Sequence, residues 1–225
     1  MSILQSMQAS KENAAPTFNE PHSPAIRIWH WTFFLVLTAS LVTVLLGLTL
    51  FRTKQNIAGV QSQLQESGAM VSKDQARGIA HMYSDKLWEL HTIIGYVLFG
   101  LLLTRVIIEI AQPGEEKLAV KLRKAMGFQS PNPAEQKEKQ HYIQVKWTYI
   151  VFYCAILTMA LTGLGLAFED VPVLKNWNGT LTQVHSIVQY FIYGFILIHL
   201  AGVIKSDLGN HKGLVSGMIH GRKRM

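Results

Sequence analysis

An all-α membrane protein, a transmembrane up-down-up-down four-helix bundle, is the fold class this sequence predicts. Three observations predict it. The chain has 225 residues, 49% of them hydrophobic, and a positive mean hydropathy of +0.19. The apolar residues gather into four runs, near 28–50, 88–110, 147–168 and 182–204. Each has the roughly 20 residues that a helix needs to cross about 30 Å of hydrocarbon. Apart from Arg105, the basic residues flank these runs instead of interrupting them.

Residues 1–25 read as a polar N-terminal tail, and 26–206 as a membrane domain containing the four spans. Residues 207–225 read as a basic C-terminal tail. The first apolar run is too long for a signal-peptide core and follows about 27 mostly polar residues, so a cleaved leader is not expected. It opens at Arg27-Ile28-Trp29-His30-Trp31, tryptophan-rich like the interface belt of a membrane helix. Between the first and second spans, residues 52–86 form a connection long for a loop without structure of its own. Ser72 and Asp74 within it are helix-start residues that could lead into the second span. In the next connection, Leu118, Leu122, Ala125 and Met126 share one helical face among Lys117, Lys121, Arg123 and Lys124. That suits either a short helix on a membrane surface or a solvated connector. Gln129-Ser130-Pro131-Asn132-Pro133 breaks the chain before the third span. Cys154 is the one cysteine, so no disulfide forms within one chain. No CxxCH appears, so covalent haem attachment is not indicated.

The formal charge is +7. With both termini on one side, the segments on that side carry fifteen Lys/Arg and the opposite loops six. The positive-inside rule then places both termini in the cytoplasm. Basic residues flanking spans can meet anionic lipid headgroups, and nucleic-acid binding explains them poorly.

His185 and His199 lie fourteen residues apart in the fourth span. On a helix they face nearly the same way and are separated by about 21 Å of rise. Ionisable groups inside a membrane mark functional sites by default. Span direction assigns depth to the others. His30 lies just past the inner edge of the first span, and His91 just past the outer edge of the second. Depth therefore pairs His30 with His199 inside and His91 with His185 outside. Two stacked histidine pairs suit two haems in the bundle core, each iron held by two imidazoles. A zinc site would need three or four protein ligands, and each depth offers two histidines with no intramembrane Asp, Glu or Cys cluster. Gly95, four residues after His91, would let a flat macrocycle approach the backbone, or would serve helix packing. Arg105, fourteen after His91, and Arg27, three before His30, are candidates for haem propionates, or would snorkel to headgroups. His22, His81, His141, His211 and His220 lie in tails and connections.

These residues resemble the bacterial cytochrome b561 and nickel–iron hydrogenase cytochrome b superfamily. The resemblance is carried by Arg27-x-x-His30-Trp31, by His91-x3-Gly95-Tyr96 with Arg105, by Thr162-Gly163, and by His185-x13-His199. Gly213-Leu214-Val215, Met218 and Gly221 resemble the family's ending approximately. The resemblance implies two b haems in a bacterial inner membrane, passing electrons between a quinone pool and a redox partner. That partner would be a dehydrogenase, a hydrogenase or a c-type cytochrome, and the inner haem edge near His199 would be the quinone site. An electron-transfer subunit is one expectation. A stand-alone quinone-linked oxidoreductase such as a superoxide oxidase is the other, and a haem-free transporter or scaffold is a third.

Overall fold

The computed structural model describes residues 23–209 and 213–221. Of the predicted polar N-terminal tail, all but the last three residues lie outside the described region, as do His22 and His211. The described residues form helices and turns. Four helices are long and apolar enough to cross a membrane: α1 (Pro24–Leu48), α3 (Lys73–Ala111), α5 (Pro133–Ala167) and α7 (Asn178–Leu208). Between and after them lie α2 (Thr53–Glu66), a 3-10 turn (Gly114–Glu116), α4 (Leu118–Gly127), α6 (Pro172–Lys175) and α8 (Leu214–His220). The protein is therefore an all-α, multi-pass membrane protein. Many large apolar side chains on the long helices, Ile187, Leu197 and Ile198 among them, are exposed, which is how a lipid-facing surface differs from a water-facing one.

The long helices outrun the apolar spans because local signals start them early. At Ser72 the chain forms a reciprocal capping box: Gln75 N–H donates to Ser72 Oγ (3.2 Å), and Ser72 N–H donates to Gln75 Oε1 (2.8 Å). This arrangement satisfies donors that a helix start leaves open, and α3 runs from there into the second span without a break. Its 39 residues make a rod of about 58 Å, well beyond the hydrocarbon thickness. At α5, Asn132 Oδ1 accepts from Ala134 N–H at 3.0 Å and Pro133 fills the first helical position. A cap followed by proline is a preferred helix start, so the breaker seen in the sequence is also a launch point.

Contacts divide the chain into two compact units, each described by itself. One comprises the described residues up to Ile28 with Leu103–Met159 and the described residues from Ser186 onward; the other comprises Trp29–Leu102 with Ala160–His185. In the second unit, the connection after the first span is a helical hairpin. Ile57 of α2 packs with Ala76 and Ala80 of α3, with Val60 alongside. The turn between them uses Gly68 at φ +82°, where L side chains are strained. In the first unit, Glu109 Oε1 accepts from the first N–H of α4, at Leu118. Leu122 and Ala125 of α4 are buried, whereas Met126 is exposed. The four-residue apolar face read from the sequence is thus narrower, and its centre is covered by protein. The tail after 206 also carries structure: α8 is bracketed by Gly213 (φ +84°) and Gly221 (φ +73°).

Candidate haem site

In the second unit His91 of α3 and His185 of α7 come together edge-on, with ring centroids 6.5 Å apart and planes crossed at 82°. Two imidazoles bound to one metal through bonds of about 2 Å have centroids about 6 Å apart. The gap therefore fits one iron held from both sides. Among the described residues, no group of three or more His, Cys, Asp or Glu gathers to hold a metal. Two facing imidazoles suit a metal that brings its own equatorial ligands, as haem iron does.

Each ring is held from behind by a threonine. Thr43 Oγ1 lies 2.8 Å from His91 Nδ1, and Thr162 Oγ1 lies 3.0 Å from His185 Nδ1. Among the described residues the buried polar residues are Ser40, Thr43 and Thr162, and the two threonines stand behind these rings. The tautomer of His91 follows from the hydroxyl's other bond. Thr43 donates its proton to the Ser40 carbonyl at 2.6 Å. Its oxygen must then accept from His91, which puts the His91 proton on Nδ1 and leaves Nε2 as the metal-binding nitrogen.

Small residues shape the surroundings. A Cβ on Gly163 would stand 3.3 Å from His185 Cε1, so the absence of a side chain lets this stretch of α5 lie against the ring. A Cβ on Gly47 would meet the Trp88 ring at 2.9 Å, and Trp88 in turn packs edge-on to His91 (5.6 Å). Gly95, the expected point of macrocycle approach, has nothing within 4 Å of where its Cβ would be. His30 also belongs to this unit. It packs edge-on to Trp31 at 5.4 Å, next to Trp29, whose indole N–H donates to the Leu101 carbonyl at 2.7 Å.

The first unit holds His199, Arg105 and Arg27. His199 stacks on Phe195 (5.8 Å, 7°), and Phe195 stacks on Phe152 (4.1 Å). Two of the three guanidinium nitrogens of Arg105 are engaged. Its Nε donates to Tyr153 Oη at 3.2 Å, its Nη2 pairs with Glu109 at 2.9 Å, and its buried Nη1 makes no hydrogen bond. A guanidinium with one buried donor left over can still receive a carboxylate. Arg27 has a partner that neither sequence reading supplied: Nη1 donates to the Ile219 carbonyl at the end of α8 (3.1 Å). His81, His141 and His220 are exposed.

Residues 21–221 match the family described as prokaryotic cytochrome b561. The chain belongs to the prokaryotic cytochrome b561 family. This cytochrome b561 is a membrane b-type cytochrome that binds haem b and takes part in electron transfer. Neither the curated proteins nor the solved structures contain a match to it.

Sequence reasoning placed His91 with His185 but missed Thr43, which lies 48 residues from its partner. Thr32, Thr38, Ser40 and Thr43 all interrupt the first apolar run, and only packing singles out Thr43. Glu109 was more legible. It stands four residues after Arg105, at ion-pair spacing on a helix.

Proposed function

We propose that this cytochrome b561 carries two b haems and moves electrons across a bacterial inner membrane, between a quinone pool and a redox partner protein. The observation that carries the reading is the facing pair His91 and His185, 6.5 Å apart, each braced at Nδ1 by a buried threonine. The inner pair, His30 with His199, is proposed from their depths in the sequence, at the opposite edge of the spans from His91 and His185.

Bound haem supplies a reversible one-electron couple. The chain's own residues do the rest. His91 and His185 present neutral imidazole nitrogens, and the threonines behind them fix ring orientation. Gly163 lets α5 lie against the His185 ring, and the space beside Gly95 is open. Arg105 offers its buried Nη1 to a propionate, while Glu109 and Tyr153 hold the rest of the guanidinium in place. Arg27 is committed at Nη1 to the C-terminal helix and keeps a buried Nε. The redox partner is proposed to be a dehydrogenase, a hydrogenase or a c-type cytochrome, with quinone meeting the inner haem edge near His199. Both termini are proposed to be cytoplasmic.

The test is a reduced-minus-oxidised visible spectrum of the purified protein with a haem-to-protein ratio. Two haems per chain are expected, falling to one in both His91→Ala and His185→Ala. Two haems retained in both variants would overturn the outer pairing, and no haem in the native protein would overturn the reading altogether.

A further inference from the structure

We propose that Thr43 and Thr162 are positioning residues for the iron between His91 and His185: they hold the two imidazole planes crossed and strengthen both nitrogens as donors, which lowers the potential of that haem. The proposal rests on the ligand reading of His91 and His185.

The geometry is symmetrical in chemistry though not in sequence. Thr43 comes from α1 and serves a histidine on α3; Thr162 comes from α5 and serves a histidine on α7. Both hydroxyls approach Nδ1, at 2.8 and 3.0 Å, and both threonines are buried, at 4% and 7% exposure. Burying a hydroxyl in an apolar setting is unfavourable unless it is hydrogen-bonded, and Thr43 is satisfied on both sides. It donates to the Ser40 carbonyl and accepts from His91. A histidine that ligates through Nε2 is neutral and carries its proton on Nδ1, so Thr162 accepts from His185 in the same sense. An acceptor at Nδ1–H pushes electron density toward Nε2 and raises ligand basicity. A more basic ligand stabilises ferric over ferrous iron, so each threonine lowers the potential.

The same two bonds set ring orientation. An imidazole on an axial position could rotate about its metal–nitrogen bond; a hydrogen bond at Nδ1 to a fixed hydroxyl removes that freedom. The planes stand at 82°. Crossed axial planes act on perpendicular iron d orbitals equally and leave them nearly degenerate, whereas parallel planes split them. Ferric low-spin haem with crossed ligands therefore gives a strongly anisotropic electron paramagnetic resonance signal, and parallel ligands give a rhombic one.

The experiment uses the purified, haem-loaded protein and the variants Thr43→Val, Thr162→Val and the double variant, with Thr43→Ser and Thr162→Ser as rescue. The readouts are haem-to-protein ratio, the resonance spectrum of the oxidised form, and a potentiometric titration. The native protein is expected to show one strongly anisotropic signal that His91→Ala abolishes. In the double valine variant the equilibrium constant for reducing ferric to ferrous iron is expected to rise about tenfold, which raises the midpoint by about 59 mV for a one-electron couple. The anisotropic signal is expected to broaden or turn rhombic, and the serine variants to restore both. Valine variants that keep their haem with unchanged midpoint and spectrum would overturn the positioning role. If the valine variants lose haem, the serine variants decide: recovery of haem and signal supports the hydroxyl's role, and loss equal to valine's overturns it. Full haem content in His91→Ala and His185→Ala would instead overturn the ligand reading beneath it.

Discussion

At the scale of single residues, the histidine pair is governed by what lies behind and beside the rings. Gly163 lies close against His185, since a Cβ there would come to 3.3 Å from Cε1. A contact that short forces the ring to yield by a few tenths of an ångström, and a branched side chain forces more. Gly163→Ala is expected to keep the outer haem with a shifted midpoint, and Gly163→Val to lower the haem-to-protein ratio toward one; absorption spectra of the purified variants check both. The neighbouring Thr162 explains why this spot has little slack. Its hydroxyl is bonded to the same imidazole, so the ring cannot turn away from a new methyl group without breaking that bond. The histidines themselves were legible as residues, because imidazoles deep in an apolar run stand out against their cost. The role of the threonine hydroxyls was not, because a hydroxyl on a membrane helix can satisfy itself on its own backbone. Thr158 does so with the Cys154 carbonyl.

At the scale of elements, the C-terminal helix α8 shows how two glycines and one arginine define a short segment. Gly213 and Gly221 take left-handed backbone at its two ends, and Asp207 Oδ1 accepts from Val215 N–H in its first turn. At the far end the Arg27 guanidinium lies where a Gly221 side chain would be, 2.6 Å from its would-be Cβ. Gly221→Ala is expected to cost about 1–2 kcal/mol from the left-handed backbone alone, before the collision with Arg27. The expected outcome is earlier proteolytic loss of the tail, with the outer haem spectrum unchanged, checked by limited digestion and mass measurement. Helix existence was readable wherever a long apolar run crossed the sequence, and a helix start was readable at Ser72 from capping chemistry, whereas Asn132 read only as part of a breaker. The helix α2 was not, since its polar sequence carries one buried residue, Ile57. Its stability comes from the partner face on Ala76 and Ala80, which periodicity within the segment cannot reveal.

At the scale of the whole molecule, the charge asymmetry makes a prediction about orientation. A fluorescent reporter that matures only in the cytoplasm is expected to glow when fused after Met225. A single cysteine introduced at Met70, which is almost fully exposed, is expected to react from the outer side with a membrane-impermeant thiol reagent in a Cys154→Ala background. Labelling of the Met70 position only after membrane rupture would reverse the assignment.

By itself the sequence determined the all-α class, the four spans, and the family, because these depend on run length, hydropathy and a few spaced residues, all of which are one-dimensional. It also determined which histidines were worth pairing, because helix rise converts spacing into depth. Only the tertiary structure decided what stands behind those histidines. Thr43 and His91 are 48 residues apart, and Thr162 and His185 are 23 apart. Which hydroxyl turns inward depends on the rotation and packing of helices against each other, and no local pattern in an apolar run encodes that.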